Sequence, residues 1–241
     1  MKISAAYYSH RGGRAANEDS ISLVESPSSV AAIVADGLGG EGGGDVASQA
    51  AVKTISGELS GGEATAARVA AAIRLANDEI TKLHTTRVRM KTTVAVLYLS
   101  GSQAFAAHVG DTRIYHFRKN KILYQSADHT VSQMAVNAGE ISVADIRTHI
   151  DRNKLTNALG SGRAAIPDMT ELYAKDGDAF LLCSDGFWEY VLESEMCEDL
   201  SASKNADEWL CKMRDKLESR LTPTSDNHSA IAIIYFHEER E

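Results

Sequence analysis

The sequence predicts an α+β fold in which two antiparallel β-sheets pack together as a sandwich and α-helices flank both outer sides. Short apolar runs typical of strands follow one another with only a tight turn between them, at residues 100–102 and 119–120. Strands joined so closely pair antiparallel, because a parallel pair needs a crossover connection of about a dozen residues or more. Apolar residues at helical spacing recur in other segments, which places helices on the outside of the sheets.

Seven segments are predicted as strands from their length and their apolar or alternating composition. They are residues 21–25, 30–35, 94–99, 103–109, 113–118, 179–183 and 230–236. Four helices are predicted: two between residues 43 and 83, one that opens at the capping box Thr130-x-x-Gln133, and one over about residues 206–221. The second helix carries an apolar stripe formed by Ala66, Val69, Ala70, Ile73, Ala76, Ile80 and Leu83.

The composition is that of one globular domain, predicted to span residues 1–241. Hydrophobic residues make up 44% and charged residues 24% of the chain, which has only three prolines. A net charge of −8 disfavours nucleic-acid binding, which needs a basic surface. The longest apolar stretch, residues 230–236, is too short to cross a membrane, and the three cysteines form no CxxC pair. We therefore expect a monomeric cytoplasmic protein without a nucleic-acid or membrane partner.

Acidic residues fall at the ends of the predicted strands. Asp36, Asp111 and Asp185 follow three of the strands, while Glu18 and Asp226 come shortly before two others. In an antiparallel sheet the carboxyl end of one strand lies beside the amino end of its neighbour, so all five acids can share one rim. A single Asp-Gly after a strand is ordinary turn chemistry. Five acids on one rim indicate a site.

The first predicted hairpin shows how two of these acids meet. If its turn centres on residues 27–28, Glu18 falls opposite Gly37 and next to Asp36. Carboxylates gathered in this way raise one another's pKa unless cations neutralise them. Oxygen ligands without His or Cys suit Mg²⁺ or Mn²⁺ rather than Zn²⁺, and two such ions about 3.5–4 Å apart can activate a bridging water for attack at phosphorus. Asp36 and Gly37 suit the centre of such a site, since they offer a carboxylate and then a backbone carbonyl.

Nine short segments run in order through nearly the whole chain. They are residues 14–19 (RAANED), 36–40 (DGLGG), 92–93 (TT), 110–113 (GDTR), 128–130 (DHT), 139–141 (GEI), 155–160 (LTNALG), 184–186 (SDG) and 226–227 (DN). Each segment alone is a weak signal. Taken together and in this order, they make the chain resemble the metal-dependent protein phosphatase family (PPM, or type 2C) in its compact bacterial form.

The resemblance implies a β-sandwich flanked by helices, in agreement with the strand pattern. It also implies that Asp36 bridges two metal ions. The Gly37 carbonyl and Glu18, the latter through water, would complete one metal site. Asp185 and Asp226 would hold the other ion.

Three further assignments follow from the resemblance. Asp111 matches the family position that, together with Asp185, can hold a third and weaker metal. Arg14 matches the Arg that grips the substrate phosphate, for which a planar bidentate donor is well suited. Residues 136–153 match a mobile flap beside the site that is associated with substrate choice.

The function that the resemblance implies is hydrolysis of phosphoserine and phosphothreonine in other proteins, with two or three Mn²⁺ or Mg²⁺ ions. The partner would be a phosphorylated protein in signal transduction, opposite a serine/threonine kinase. Two alternatives stay open: a regulatory relative that binds phosphoproteins, and a hydrolase of small phosphoesters on the same fold. Loss of a metal ligand would indicate the regulatory relative, and no ligand position is lost here.

Three positions depart from the family pattern. Leu38 stands where many animal members have a His thought to protonate the leaving group, although bacterial members commonly have Met or Leu there. Lys91 stands where a Gly usually precedes the Thr pair. Residues 41–44 (EGGG) predict an unusually flexible loop. None of these departures removes a ligand, so we expect an active enzyme.

Two other chemistries are weighed against this one. Residues 37–42 match the dinucleotide fingerprint GxGxxG, but a dinucleotide-binding unit needs a second strand where this sequence predicts helices, and no P-loop Lys follows. Cysteine-phosphatase chemistry is excluded, because none of the three cysteines has an Arg six residues further on. Cys183 is instead expected to be a small core residue of its strand.

Several other residues have a structural and a functional interpretation. His129 lies at the start of a helix, where it belongs to the cap region or serves the site. His108 is expected to be a satisfied core or surface residue. Arg87, Arg89 and Lys91 form a basic cluster that is either a solvated loop or a docking point for a phosphorylated substrate.

Overall fold

The computed structural model describes residues 1–39, 42–61 and 65–236. These residues form ten strands, which are β1 (Lys2–His10), β2 (Asp19–Glu25), β3 (Ser29–Asp36), β4 (Val94–Ser100), β5 (Gln103–Val109), β6 (Arg113–Arg118), β7 (Lys121–Gln125), β8 (Asp168–Tyr173), β9 (Ala179–Cys183) and β10 (His228–Phe236). The α-helices are α1 (Gly44–Leu59), α2 (Ala66–Lys82), α3 (Val131–Asn137), α4 (Asp185–Trp188), α5 (Glu193–Ser201) and α6 (Ala206–Glu218). A 3₁₀ helix covers Val143–Thr148.

The strands form two five-stranded sheets. One sheet has the order β1-β10-β9-β6-β7 and the other has the order β2-β3-β4-β5-β8. All the pairings are antiparallel. The hairpins β2–β3, β4–β5 and β6–β7 join strands that are neighbours in a sheet, as their tight turns require. The predicted pair of antiparallel sheets is therefore confirmed.

Apolar side chains fill three layers, because both faces of each sheet are covered. Val34, Leu97 and Ile231 lie fully buried in the layer between the two sheets. Successive side chains of a strand point to opposite faces, so Val96 of β4 packs in the outer layer under α1 and α2. The other outer layer contains Trp209 of α6, which covers the second sheet. Burial on both faces explains why the central strands are continuous apolar runs.

The seven predicted strands are confirmed, with ends that differ by two residues at most. The sequence does not predict β1, β7 and β8. Each of these three strands lies at the edge of a sheet, and most of its residues are exposed or only half-buried. An edge strand with a wet face needs no apolar run, so it lacks the signal by which the buried strands are recognised.

The four predicted helices are also confirmed, and three of them begin at a side-chain cap, which is Thr65 for α2, Thr130 for α3 and Asn205 for α6. The Thr65 side chain accepts a hydrogen bond from the Arg68 amide at the start of α2, and Thr130 accepts one from the Gln133 amide at the start of α3. The sequence does not predict α4, α5 and the 3₁₀ helix, which are short. No helix in the described part of the chain has the length and apolarity needed to span a bilayer.

Candidate active site

One cleft of about 480 Å³ contains all the acids predicted to share a rim. Its lining includes Arg14, Glu18, Asp36, Gly37, Leu38, Asp111, Asn153, Leu155, Asp185 and Asp226. We call it the acidic cleft. Strand ends bring these side chains together: β3 ends at Asp36, Asp111 follows β5, and Asp185 follows β9. Five carboxylates and one guanidinium therefore converge from segments that are distant in sequence.

The β2–β3 hairpin has the register that its turn predicts. Asp19 pairs with Asp36, and the Gly37 amide donates a hydrogen bond of 3.1 Å to the Glu18 carbonyl. The Glu18 and Asp36 side chains therefore lie next to each other at the end of the hairpin. No described residue donates a hydrogen bond to the Gly37 carbonyl, which leaves that oxygen available to a ligand.

Two glycines in this segment make room for the Glu18 segment. A Cβ at Gly37 would lie 2.6 Å from the Glu18 carbonyl oxygen and 2.2 Å from that of Gly44. A Cβ at Gly39 would lie 1.9 Å from the Glu18 Oε2 atom. Any larger residue at either position would displace Glu18 from the cleft. These glycines are therefore needed to position the Glu18 carboxylate, and not to bind a phosphate as in a dinucleotide site.

The backbone of Asp36 is held by the pair of threonines before β4. The Thr92 hydroxyl donates to the Asp36 carbonyl at 2.7 Å, and the Thr93 amide donates to the same oxygen at 2.9 Å. Both threonines are fully buried. The Asp36 side chain is thereby placed by a rigid strand end and not by a free loop.

Asp185 and Asp226 lie at the same end of the other sheet, because β9 and β10 are paired there. Asp185 is the first residue of α4, and its Oδ1 atom is buried without a hydrogen-bond partner among the described residues. Asn227 ties this region to the first sheet, since its Oδ1 accepts a hydrogen bond from the Glu18 amide at 2.8 Å and its Nδ2 donates to the Ala16 carbonyl at 2.9 Å. The two halves of the cleft are therefore linked directly.

Asp111 is supported from behind by a stack of buried side chains. The Trp188 indole donates to the Asp111 carbonyl at 2.9 Å. The Arg113 guanidinium lies 3.5 Å above the Trp188 ring and forms two hydrogen bonds, of 2.9 and 2.7 Å, with the Asp128 carboxylate. Trp188 is buried, and its hydrogen bond also holds the backbone of a cleft residue in place.

His129 contacts the Gly110 peptide that precedes Asp111. Its amide donates to the Gly110 carbonyl at 3.0 Å, and its Nδ1 accepts from the Gly110 amide at 3.2 Å. Thr130 caps α3, so His129 is not the cap residue of that helix. His129 therefore belongs to the support of the Asp111 loop.

His108, His129 and Asp168 could at first sight form a second metal site, since a ligand atom of each lies within 4.8 Å of the others. However, His129 Nδ1 accepts the Gly110 N–H, so the ring proton lies on Nε2, which faces the Asp168 carboxylate at 3.3 Å. The two imidazole rings also lie nearly stacked, 4.7 Å apart and tilted by 34°. This arrangement is a hydrogen-bonded support rather than a ligand set. The expectation of a satisfied His108 is met at Nε2, which contacts the Ala127 carbonyl. It is not met at Nδ1, which is buried without a hydrogen-bond partner among the described residues.

Burial and mutual repulsion change the protonation of the cleft acids. Desolvation, followed by the charges of neighbouring carboxylates, raises the pKa of Asp36 and of Asp185 well above the ordinary value. Desolvation and the charge of Asp128 raise the pKa of Asp111 to about 7. Desolvation and like charges also raise the pKa of Glu18. These acids cannot all be ionised at neutral pH unless cations enter the cleft.

Asp19 is a further buried acid next to the cleft. Its Oδ2 accepts hydrogen bonds from the hydroxyls of Ser184 and Ser229, at 2.8 and 2.6 Å, while its Oδ1 is buried without a partner in the described part of the chain. Desolvation raises the Asp19 pKa to about 6, although the serine hydrogen bonds lower it. Asp19 and Asp185 thus each have one buried oxygen without a partner among the described residues, and the charges of both raise the pKa of Asp36.

Arg14 lies at the mouth of the cleft. Its Nη2 atom is 2.7 Å from Asp226 Oδ2, and the two side chains are 56% and 42% exposed. Among the residues that line the acidic cleft, Arg14 is the cation. It is therefore placed to meet an anion that enters from solvent, and it neutralises Asp226 in the absence of one.

The donor atoms of the cleft fit hard divalent cations. They are carboxylate and carbonyl oxygens, which suit Mg²⁺ and Mn²⁺. The buried Asp185 Oδ1 has no hydrogen-bond donor among the residues that the structure describes, and a metal ion would satisfy it. The raised pKa values of Asp36 and Asp185 point the same way, because a cation would reverse the repulsion that causes them.

The positions that depart from the family pattern lie around this cleft. Leu38 lines it with an aliphatic side chain that carries no proton. Gly42 and Gly43 have φ of 83° and 82°, a left-handed conformation that favours glycine. Glu41, the first residue of the predicted flexible loop, and Gly40 before it lie outside the described residues. The dinucleotide interpretation is wrong, since α1 and α2 follow these glycines and the sheets are antiparallel.

Sequence reasoning did not single out several residues that build the site. Asp19 could have been found, because it adjoins Glu18 and begins the strand that pairs with Asp36. Asn227 and the Thr92–Thr93 pair stand in recognisable segments, but their hydrogen bonds cross between elements and no local pattern reveals them. Asn153 reaches the cleft from the predicted flap segment, which only the fold places there.

A family model described as Protein phosphatase 2C matches residues 8–225. The chain belongs to the protein phosphatase 2C family. The predicted resemblance is thus confirmed, and the oxygen-lined cleft lies at the place where that family's sequence segments meet in this fold.

Two relatives of known activity are similar to this chain in sequence. The serine/threonine phosphatase stp of Listeria welshimeri is 34% identical over 183 residues, which cover 72% of this chain and 72% of that protein. The serine/threonine protein phosphatase PstP of Mycobacterium tuberculosis is 32% identical over 200 residues, which cover 80% of this chain. The matched region spans only 38% of the length of PstP.

Solved structures share the fold. A crystal structure of the Mycobacterium tuberculosis phosphatase PstP/Ppp matches with a TM-score of 0.85 and 29% identity, covering 98% of this chain and 99% of that one. The catalytic domain of PstP in complex with two manganese ions matches with a TM-score of 0.82 and 27% identity, covering 97% and 98% of the two chains. The sandwich of two five-stranded sheets with outer helices is therefore the fold of PPM phosphatases.

Proposed function

We propose that this chain removes phosphate from phosphoserine and phosphothreonine in other proteins, with two or three Mn²⁺ or Mg²⁺ ions in the acidic cleft. The observation that carries the proposal is the convergence of five carboxylates and one guanidinium in that cleft, where one carboxylate oxygen of Asp185 is buried without a partner. Family membership and the manganese complex of the related PstP domain support it. Divalent ions in such a site lower the pKa of a bound water and offset charge on the phosphoryl oxygens.

Each cleft residue has a definite task in this proposal. Asp36 lies at the centre and would contact two ions, with the free Gly37 carbonyl and Glu18 on one side. Asp185 and Asp226 would hold the second ion. Asp111 would hold a third ion together with Asp185.

Arg14 would bind the substrate phosphate. Its guanidinium can donate two parallel hydrogen bonds to phosphate oxygens, and it is exposed at the mouth of the cleft where a phosphorylated side chain enters. Leu38 brings no acid to the leaving group, so the proton for the departing serine or threonine oxygen would come from another group or a water molecule in the cleft. The aliphatic side chain instead forms part of the wall.

We propose further that residues 1–241 form one phosphatase domain, in which residues 136–153 act as a flap beside the cleft. The flap contains the 3₁₀ helix and ends at Asn153, which lines the cleft. Its placement would let it contact a protein substrate. The free cysteines Cys183, Cys197 and Cys211 support a reducing, cytoplasmic setting. A monomer that acts opposite a serine/threonine kinase completes the proposal.

The decisive experiment measures phosphate release from a phosphothreonine peptide. Purified protein is stripped of metal with a chelator, and Mn²⁺ or Mg²⁺ is then restored. We expect no release without metal, release with either ion, and none from the Asp36→Asn variant. A small phosphoester tested in parallel addresses the first alternative, because a protein phosphatase should prefer the peptide. Binding of the peptide without any release under all metal conditions would support the regulatory alternative instead.

A further inference from the structure

A second cavity of about 640 Å³ adjoins the acidic cleft. Its lining includes Leu38, Lys91, Leu155, Asn157, Arg163 and Ile166. We call it the side groove. Leu38 and Leu155 line both cavities, so they form the ridge between them. A peptide whose phosphorylated residue enters the acidic cleft can therefore continue over this ridge into the side groove.

The side groove has the opposite charge to the cleft. Lys91 and Arg163 line it, and no carboxylate of the described residues does. Arg89 lies close by, since a Cβ at Gly162 would be 3.9 Å from its Nη1 atom. None of these three cations forms an ion pair or a side-chain hydrogen bond within the described part of the chain. The side groove therefore places cations without a carboxylate partner in the described part of the chain directly beside the acidic cleft.

Lys91 is the residue that stands where the family pattern has a Gly. Its carbonyl accepts a hydrogen bond of 3.0 Å from the Leu38 amide, which fixes its backbone at the ridge. Where a Gly stood, this position would carry no charge. The Lys side chain instead adds a positive charge to the lining of the side groove.

The wall of the side groove is anchored to the core. Thr92 and Leu159 exchange backbone hydrogen bonds of 3.2 and 2.9 Å. The Asn77 side chain of α2 accepts from the Gly160 amide at 2.9 Å and donates to the Arg163 carbonyl at 3.3 Å. The groove is thus formed before a ligand arrives, so little ordering of the wall opposes binding.

We propose that the side groove binds the residues that flank the phosphorylated one in a protein substrate, and that it selects flanks with carboxylate side chains. This inference rests on the proposed phosphatase function. The charge of the groove carries it: Lys91, Arg163 and Arg89 lack acidic partners, and an acidic flank supplies them. The exposed Ile166, at 73%, offers apolar contact to the same segment.

The test compares phosphothreonine peptides that differ only in their flanks, with Glu, Ala or Lys on both sides. The measured quantity is the ratio of kcat/KM for the Glu peptide to kcat/KM for the Ala peptide, taken with Mn²⁺. For wild type we expect a ratio of about three to ten, since exposed charge pairs contribute modestly. The ratio should fall toward one as salt is raised to about 0.5 M, because exposed charges are screened.

Two variants and a matched control locate the effect. Arg163→Glu should bring the ratio to one or below, and Lys91→Ala should lower it in part. Lys121→Glu, an equal charge reversal on the exposed edge strand β7 and outside both cavities, should leave it unchanged. Circular dichroism of each variant excludes misfolding as the cause.

The outcomes separate this inference from the function on which it rests. Absence of phosphate release from every peptide and from p-nitrophenyl phosphate would refute the phosphatase itself. Release from all peptides with a ratio of one in wild type, or a raised ratio that survives Arg163→Glu, would overturn the side groove alone.

Discussion

The Nη2 atom of Arg14 lies 2.7 Å from Oδ2 of Asp226, so the guanidinium proposed to bind phosphate is paired with a carboxylate proposed to bind metal. Both side chains are about half exposed, which makes the pair easy to separate. A cation that binds Asp226 would displace Arg14 and leave it free for an anion. In the proposed site, metal and phosphate binding would therefore be coupled through one ion pair.

Removal of Arg14 should separate these two effects. We expect Arg14→Ala to raise KM for a phosphothreonine peptide more than it lowers kcat, because binding common to ground and transition state is lost. The same variant should bind Mn²⁺ at least as tightly as wild type by calorimetry, since a competing cation is gone. Arg11→Ala, on the same exposed loop and outside the cleft lining, serves as the control. An unchanged KM with a lower kcat would place Arg14 on the transition state alone.

Neutralising the central carboxylates should abolish turnover and spare the fold. We expect Asp36→Asn and Asp185→Asn to lose far more than a factor of about ten in rate, which corresponds to ~1.4 kcal/mol. Glu25→Gln, at the exposed far end of the same hairpin as Asp36, should keep wild-type activity. Retention of more than about a tenth of the activity by either folded variant would contradict the assignment.

The raised pKa values predict how the metal-free protein responds to pH. A carboxyl whose pKa is higher in the folded than in the unfolded state holds its proton longer when folded, so stability falls as pH rises through the folded pKa. This holds for Asp111, whose pKa is about 7. It also holds for Asp36 and Asp185, whose pKa values are raised well above the ordinary value of an aspartate. The chelated protein should therefore have a lower Tm at pH 8 than at pH 6.5.

Two comparisons check that the cleft causes this pH dependence. Saturating Mn²⁺ should remove most of the fall in Tm, because the cation stabilises the ionised carboxylates. Asp36→Asn should raise the Tm of the chelated protein at pH 8, since one of several mutually repelling charges is gone. The buried His108 acts in the opposite sense, because its pKa is lowered in the folded state and the unfolded chain binds more protons there near pH ~6.5. Its contribution is the same with and without Mn²⁺, so the Mn²⁺ comparison isolates the cleft acids. A Tm that is flat or rises with pH in chelator would count against the electrostatic argument.

Substitution of Asp111 should affect metal binding differently from substitution of the other acids. If it holds a third and weaker ion, Asp111→Ala should keep the tight Mn²⁺ sites and lose a weak one in a calorimetric titration, together with most of the activity. Its support by Trp188 should keep the fold intact, since that hydrogen bond uses the backbone carbonyl. Loss of every metal site would show that Asp111 belongs to the central pair.

The buried Arg113–Asp128 pair predicts a large effect on stability. Their side chains are 3% and 1% exposed, so Arg113→Ala leaves a buried carboxylate without its partner and should cost about 3–5 kcal/mol in unfolding free energy. The double variant Arg113→Met/Asp128→Leu should recover much of that loss in urea denaturation. Lys82→Ala, which breaks an exposed pair with Glu79, should change stability little. Equal losses for the single and double variants would mean that packing under Trp188 dominates.

Much of this fold can be predicted from local sequence patterns alone. The buried strands and the long helices are predictable because each has a period that its own residues display, and the β2–β3 register follows from one turn. The positions of Asp36, Asp111 and Asp185 after strands are likewise visible in the chain. The edge strands are not, because a strand with a wet face shows no apolar run.

The sequence by itself thus determined which elements form and which of them end in an acid. Tertiary structure decided which of those ends meet: Asp185 and Asp226 are neighbours because β9 pairs with β10, and neither strand encodes its partner. It also decided that Arg14 pairs with Asp226 and that Lys91 and Arg163 face one groove. The physical reason is range, since propensity and periodicity act over a few residues, whereas these contacts join segments that only the packing of the two sheets brings together.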